Sequence, residues 1–178
     1  MVYSRFPVCS QILDLRYPGV MSLMLRPARP SDFLVLAAWV PDAAACKRWA
    51  GPRVPFPFAP EHLEGLLEAR ERPSYGLWED GSALVAFGQY WVQAPGRAHL
   101  GRILVAPAAR GRGLGRELCR HLMGEAVRAT GARVVTLRVY RDNTVAQALY
   151  TSLGFRPVAS ECTNDSLFLE APVPPSAG

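Results

Sequence analysis

The run Arg110-Gly111-Arg112-Gly113-Leu114-Gly115-Arg116 constrains the fold of this chain more than any other stretch. It follows the apolar run Ile103-Leu104-Val105 and opens an amphipathic segment from Leu114 to Thr130. Strand, glycine loop and helix in that order turn backbone N–H groups outward at a helix start. The helix macrodipole adds about half a positive charge at the same place. Such a loop suits a phosphate or pyrophosphate. The dinucleotide fingerprint G-x-G-x-x-G fails because Arg116 stands where its last glycine belongs, and no acidic residue follows at ribose distance. A P-loop fails for want of Gly-Lys-Ser/Thr. The pattern Q/R-x-x-G-x-G/A is met by Arg110, Gly113 and Gly115. On the loop alone, a plain Gly/Arg turn stays open as the alternative.

A second element lies further along. Asn143, Ala146, Tyr150, Gly154 and Phe155 satisfy N-x-x-A-x-x-x-Y-x-x-x-G-F, with Asn143 as N-cap and Gly154 as C-cap of one short helix. Between the two motifs, Val134 to Val139 reads as a β-branched strand. From about Leu23 to Glu170 the chain resembles the GCN5-related N-acetyltransferase (GNAT) family, which carries both signatures in this order. The resemblance implies a single α/β domain with a mixed, mostly antiparallel sheet and helices on both faces. It also implies acetyl-CoA as co-substrate, and transfer of its acetyl group to a primary amine of a small molecule or peptide by direct attack in a ternary complex.

At 178 residues and 49% hydrophobic content the chain can bury one core. No apolar stretch reaches the length of a membrane span. Residues 1–20 lack a clustered basic start and a continuous apolar centre, so they do not read as a secretory signal; they are expected to be a disordered or non-native extension outside the fold. The domain is expected over 21–171, and 172–178, rich in Pro and small residues, as a disordered tail. The net charge is +5, almost all of it arginine, since Lys47 is the only lysine. That balance suits nucleic acid or an anionic cofactor. The arginines at 110, 112 and 116 gather at one loop and form no stripe with aromatics between them, which favours the cofactor. Cys9, Cys46, Cys119 and Cys162 form no C-x-x-C pair, which argues against a zinc ribbon or redox motif and suits a reducing cytoplasm. Cys119 falls on the apolar stripe of its helix and reads as core.

Along the chain, Leu23–Arg26 reads as a strand. A helix follows through Trp39, capped by Ser31 or Asp32, and a short helical segment covers Ala43–Trp49. Gly51–Pro60 is a proline-rich loop, and Glu61–Arg70 an amphipathic helix. Ser74–Glu79 and Ala83–Val92 read as strands joined by Glu79-Asp80-Gly81, the second apolar on both faces as in a central strand. Arg97–Val105 precedes the glycine loop, and Gly131 ends the helix behind it. Two short strands, Arg156–Glu161 and Ser166–Glu170, close the order. No repeat and no second domain is visible.

The resemblance assigns cofactor contacts to Ile103, Leu104 and Val105 through their main chain, to Arg110, Gly111, Arg112, Gly113, Leu114, Gly115 and Arg116, and to Asn143, Ala146 and Tyr150. It makes Tyr150 the general acid for the departing thiolate. A phenol of pKa about 10 is a weaker acid than a thiol of about 8.5, so it helps mainly by hydrogen bonding. Tyr150 also sits on an apolar stripe with Ala146, Leu149 and Leu153, so a purely structural role stays open. No carboxylate stands near the strand before the loop. His99 is the candidate base there, Glu79 a fallback, and a chain of waters a third route. His62 and His121 read as surface residues. Trp39, Trp49 and Phe56 are candidate acceptor contacts in an aromatic, basic region poor in acidic walls. That region suits an amine with an apolar or anionic body better than a polyamine or aminoglycoside. Pairing of two copies through late strands is compatible with the resemblance. A non-catalytic acyl-CoA-binding module is the second reading, because the carboxylate base is missing.

Overall fold

The computed structural model describes residues 22–173. The expected extension at 1–20 and residues 174–178 lie outside that range. Seven strands, β1 (Leu23–Pro27), β2 (Ser74–Glu79), β3 (Ala83–Ala94), β4 (Arg97–Val105), β5 (Val134–Tyr140), β6 (Arg156–Pro157) and β7 (Ser166–Pro172), form one sheet in the order β1-β2-β3-β4-β5-β7-β6. All neighbours run antiparallel except β4 and β5. Helices α1 (Pro30–Ala37), α2 (Ala43–Ala50) and α3 (Leu63–Leu66) pack over one face around Phe87 and Leu104. Helices α4 (Leu114–Thr130) and α5 (Thr144–Ser152) bury the other, with Leu122, Ala126 and Tyr150 against Ala98, Leu100, Val135 and Leu137. Buried on both sides, β3 is an interior strand of the sheet, as its composition suggests. Among the described residues no helix is long and apolar enough to cross a membrane.

Strand alternation then decides which residues meet where. On β4, Ala98 and Leu100 point into the α4 core, so His99 points to the opposite face. On β5, Val135, Leu137 and Val139 do the same, which leaves Thr136 and Arg138 on the face with His99.

Local structure departs from expectation in four places. The helix expected over Glu61–Arg70 is one 3₁₀ turn, Pro60–His62, followed by the single turn of α3. A Schellman pair ends it early: Glu68 N–H donates to Gly65 O and Ala69 N–H to Glu64 O, with Glu68 left-handed at φ 51°. The cap of α1 is Arg29, with Pro30 at the first position, while Asp32 accepts from Arg29 N–H at 2.9 Å as the third residue of a capping box. β6 stops at Pro157; Val158 N–H still donates to Phe168 O at 2.9 Å, and the chain then enters a 3₁₀ turn at Ala159–Glu161. β7 runs on to Pro172, paired with Val134, and Val173 N–H donates to Arg133 O at 2.9 Å, so the ordered domain passes the expected end at 171. The helix of the second motif forms as read: Asn143 Oδ1 accepts from Ala146 N–H at 3.2 Å, and Gly154, at φ 88°, closes it.

Candidate active site

β4 and β5 pair only from Arg97↔Val134 to Leu100↔Leu137. Beyond that point they separate, and the β5-facing backbone edge of Gly101–Val105 has no strand partner. The separation coincides with a bulge. Opposite β3 the register slips between Phe87 and Gln89, and Arg102 adopts φ 54°. A bulge bends and twists the strand that carries it. Glycines make room for the bend: a Cβ on Gly101 would sit 2.5 Å from Trp91 Cη2, and one on Gly88 2.7 Å from Ile103 Cδ1. Arg102 holds the bulge with its own side chain, donating from Nη1 to Gln89 Oε1 at 2.7 Å and to Leu67 O. Its carbonyl accepts from Trp49 Nε1 at 2.8 Å. One side chain thus ties the bulge to the capped end of α3.

A cavity of about 410 Å³ fills the fork. Tyr150, Leu137 and Ile103 line it from the α5 side, Trp49 and Asn143 at the rim, and Trp91, His99 and Arg138 from the opposite face. Tyr150 is 7% exposed, and its hydroxyl has no hydrogen-bond partner among the described residues. Burial pushes its pKa well above the usual phenol range. The hydroxyl opens onto the cavity, where its hydrogen bond is available to water or to a ligand.

His99 reaches the same cavity, but not as a strong base. Its Nδ1 lies 2.8 Å from Thr136 Oγ1. Thr136 has one hydroxyl hydrogen, which it donates to Gln93 Oε1 at 2.8 Å. The network therefore assigns the proton to His99 Nδ1 and a lone pair to Nε2. Burial, then the charges of Arg138 and Arg72, pull the His99 pKa down to about 4. The imidazole is neutral at pH 7 and binds a proton too weakly to take one from an ordinary ammonium group.

Seven charged side chains line the cavity: Lys47, Arg48, Arg53, Arg72, Arg102, Arg138 and the single carboxylate Glu68. Glu68 lies 2.5 Å from Arg72 Nε. Arg48 makes a two-pronged contact with Asp142 at 2.7 and 2.8 Å across the rim. The site is strongly positive: Lys47 and Arg48 of α2 belong to the basic acceptor region expected from the sequence, whereas Arg72, Arg102 and Arg138 were not expected there because they come from the segment after α3, β4 and β5. Strand parity around His99 would have placed Arg138 beside it. The bulge had a weak sequence signal in the isolated strand glycines Gly88 and Gly101.

Other expected site residues fall elsewhere. Trp49 lines the cavity, but Trp39 is 9% exposed within the core under α1. Phe56 packs edge-on against Phe58, outside the cavity. Glu79 is also outside it, paired with Arg112 at 2.5 Å. Ile103 reaches the cavity, whereas Leu104 packs against the α1–α3 cluster and Val105 against the α4 side, so the last two can act only through their main chain. Ala146 packs against the core and Asn143 spends its side chain on the cap of α5.

The glycine loop sits at the start of α4. Gly113 is the N-cap at φ 77° and Gly111 is left-handed at φ 78°, and a Cβ on either would meet open space. Arg116 N–H turns back to Gly113 O at 3.0 Å, while the amides of Gly113, Leu114 and Gly115 have no acceptor among the described residues. A Cβ on Gly115 would lie 3.2 Å from Leu149 Cδ1, so this glycine lets α5 approach α4. Leu114 is buried, Arg110 is exposed, and Arg116 Nε donates to Ser152 Oγ at 3.3 Å.

Residues 38–155 match the model of the acetyltransferase (GNAT) family, and the chain belongs to that family. It is 44% identical over 81 residues to mycothiol acetyltransferase of Corynebacterium glutamicum (strain R), which is 44% of this chain and 26% of that protein. It is 31% identical over 106 residues to the uncharacterized N-acetyltransferase YobR of Bacillus subtilis (strain 168), 57% of this chain and 42% of the relative. The chain therefore spans less than half the length of these relatives. Among solved structures, spermidine N-acetyltransferase from Vibrio cholerae with CoA and spermine superposes with a TM-score of 0.70 at 16% identity, over 84% of this chain and 95% of that one. YncA from Salmonella typhimurium with acetyl-CoA gives 0.64 at 20% identity, over 88% and 96%. At such identities the likeness is one of fold.

Proposed function

We propose that this protein is an acetyl-CoA-dependent N-acetyltransferase that delivers the acetyl group to a primary amine of a small molecule or peptide by direct attack within a ternary complex. The observation that carries the proposal is the fork after Leu100 and Leu137, which opens one free strand edge beside the unpartnered Tyr150 hydroxyl. The residues fit the co-substrate. Three open amides at the start of α4 suit a pyrophosphate. The unpaired edge of Gly101–Val105 suits the amides of a pantetheine arm, and Tyr150 stands in the fork where that arm would end. Acetyl-CoA supplies an activated thioester when bound.

Everything else is asked of the chain itself. Tyr150 donates a hydrogen bond to the departing sulfur. Its raised pKa makes full proton transfer uphill, so its contribution is the directed hydrogen bond. Backbone N–H groups of the open β4 edge stabilise charge on the acetyl oxygen. An acceptor amine must arrive neutral, and the cavity favours that form: a positive site disfavours ammonium over amine. His99 Nε2 then accepts a hydrogen bond from the amine and orients it, while the proton leaves through water. This replaces the general-base role expected of His99.

Thiol release from acetyl-CoA that depends on added amine, with mass spectrometry of the product, tests the proposal. Heat of acetyl-CoA binding without turnover across a broad amine panel would instead favour a non-catalytic acyl-CoA module. One observation supports that second reading: Glu68, the only carboxylate lining the cavity among the described residues, is already held by Arg72.

A further inference from the structure

On the face of the sheet away from α4, five side chains from five segments form one continuous stack. The Arg72 guanidinium lies 4.3 Å from the Trp91 ring centroid. Trp91 and His99 have centroids 4.7 Å apart, and His99 and Phe168 5.9 Å. The Arg138 guanidinium closes the row 5.2 Å from Phe168. Two cations therefore flank a neutral imidazole between two aromatic rings. Burial first, and after it the charges of Arg138 and Arg72, depress the His99 pKa.

The two ends are not equivalent. Arg72 already has Glu68. Arg138 donates only from Nη1, to Ser166 Oγ at 3.0 Å and Glu161 O at 3.2 Å. Neither partner is charged, and the Nε and Nη2 donors of Arg138 have no acceptor among the described residues. An arginine edge with two parallel donors matches a carboxylate in geometry as well as charge. The phosphates of the co-substrate do not explain it. The glycine loop and its free amides sit at the start of α4, on the other face of the sheet.

We infer that the acceptor amine carries a carboxylate, which docks on the open Nε/Nη2 edge of Arg138 at the end of the Arg72–Trp91–His99–Phe168 stack. This rests on the acetyltransferase reading above and narrows its acceptor to amino acids and other amino-carboxylates. The same field that holds the carboxylate keeps the neighbouring amine neutral.

The test is a thiol-release screen of matched sets: α-, β- and γ-amino acids, their primary amides and their decarboxylated amines, such as phenylalanine, phenylalaninamide and 2-phenylethylamine. Amino-acid amides have the less basic amines, so availability of free amine alone would rank the amide first. Carboxylate docking ranks the acid first, with kcat/KM higher by about tenfold or more. Arg138→Gln should shrink the acid-to-amide ratio by about the same factor, and Arg138→Lys should keep part of it. Amides or decarboxylated amines turned over as well as their acids would overturn the inference and leave the acetyltransferase reading standing. Equal loss on acid and amide in Arg138→Gln would also overturn it. A silent panel with acetyl-CoA heat overturns it in favour of the non-catalytic module, and a silent panel without that heat removes both readings.

Discussion

His99 should report its surroundings through stability. Its ordinary pKa of 6.5 applies to the unfolded chain, and the folded value is about 4. The folded state thus binds the proton less readily. The contribution of the neutral imidazole is fully present above about pH 6.5 and is lost as pH falls towards 4. Each pH unit inside that window costs about 1.4 kcal/mol. Applying the two-state titration at both ends, the loss between pH 7.5 and pH 5 comes to about 2 kcal/mol. Urea unfolding of the wild type and of His99→Gln at both pH values measures it. Carboxylates and the other histidines titrate in both proteins and cancel, so the wild type should lose about 2 kcal/mol more than the variant. Carbon-13 shifts of the His99 ring should stay flat from pH 8 to pH 5.5. A ring that titrates near 6.5, or two proteins with the same pH slope, would show that the stack and its arginines do not shield this imidazole, and the orienting role argued for Nε2 would fall with it.

Three further outcomes follow from the geometry. Tyr150→Phe should keep acetyl-CoA affinity within about threefold in calorimetry and lower turnover at least tenfold, about 1.4 kcal/mol of barrier; unchanged turnover removes the phenol from the chemistry. Gly113→Ala places a Cβ at φ 77° in otherwise open space, so it should cost about 1 kcal/mol of stability by strain alone and weaken acetyl-CoA binding by distorting the open amides, read by urea unfolding and calorimetry. Arg102→Met removes the donor to Gln89 Oε1 and Leu67 O and should destabilise by about 2 kcal/mol in urea unfolding. A variant as stable as wild type would show that the bulge stands without its anchor.

The succession of strands and helices along the chain, the glycine loop and the α5 motif are legible in the sequence because each rests on a local rule. Gly113 must be left-handed before a helix, Asn143 must cap, and Gly154 must close. Cys119 on the buried stripe of α4 is of the same kind. The site's far wall was not legible because nothing local encodes it. Arg72, Trp91, His99, Arg138 and Phe168 come from five segments, and only the sheet register brings them into one row. Trp39 misled for the complementary reason: an aromatic in the right region says nothing of which way it faces, and this one faces the core. The short α3 escaped because Glu68 takes a left-handed conformation that its residue type disfavours. That conformation is held from outside. Leu67 O, one residue before it, receives Gln89 Nε2 at 3.1 Å and Arg102 Nη1, so a tertiary contact overrides the helix-forming pattern of Glu61–Arg70.

That contact links the two halves of the site. Arg102 is both the bulge that opens β4 from β5 and the donor that fixes the end of α3. The segment after that end carries Glu68 and Arg72 into the cavity. On the proposed reading, the acetyl site lies at the bulge and the acceptor wall begins at Glu68, so one side chain sets their spacing. Methionine at position 102 can fill part of the arginine's volume but can hold neither Leu67 O nor Gln89 Oε1; the ladder to β3 and the Trp49 bond to the carbonyl of residue 102 still hold β4, so the end of α3 is the part set free to shift. The expected signature in Arg102→Met is therefore a raised KM for the amine with little change in acetyl-CoA affinity. Equal losses for amine and acetyl-CoA would mean that Arg102 serves only the fork.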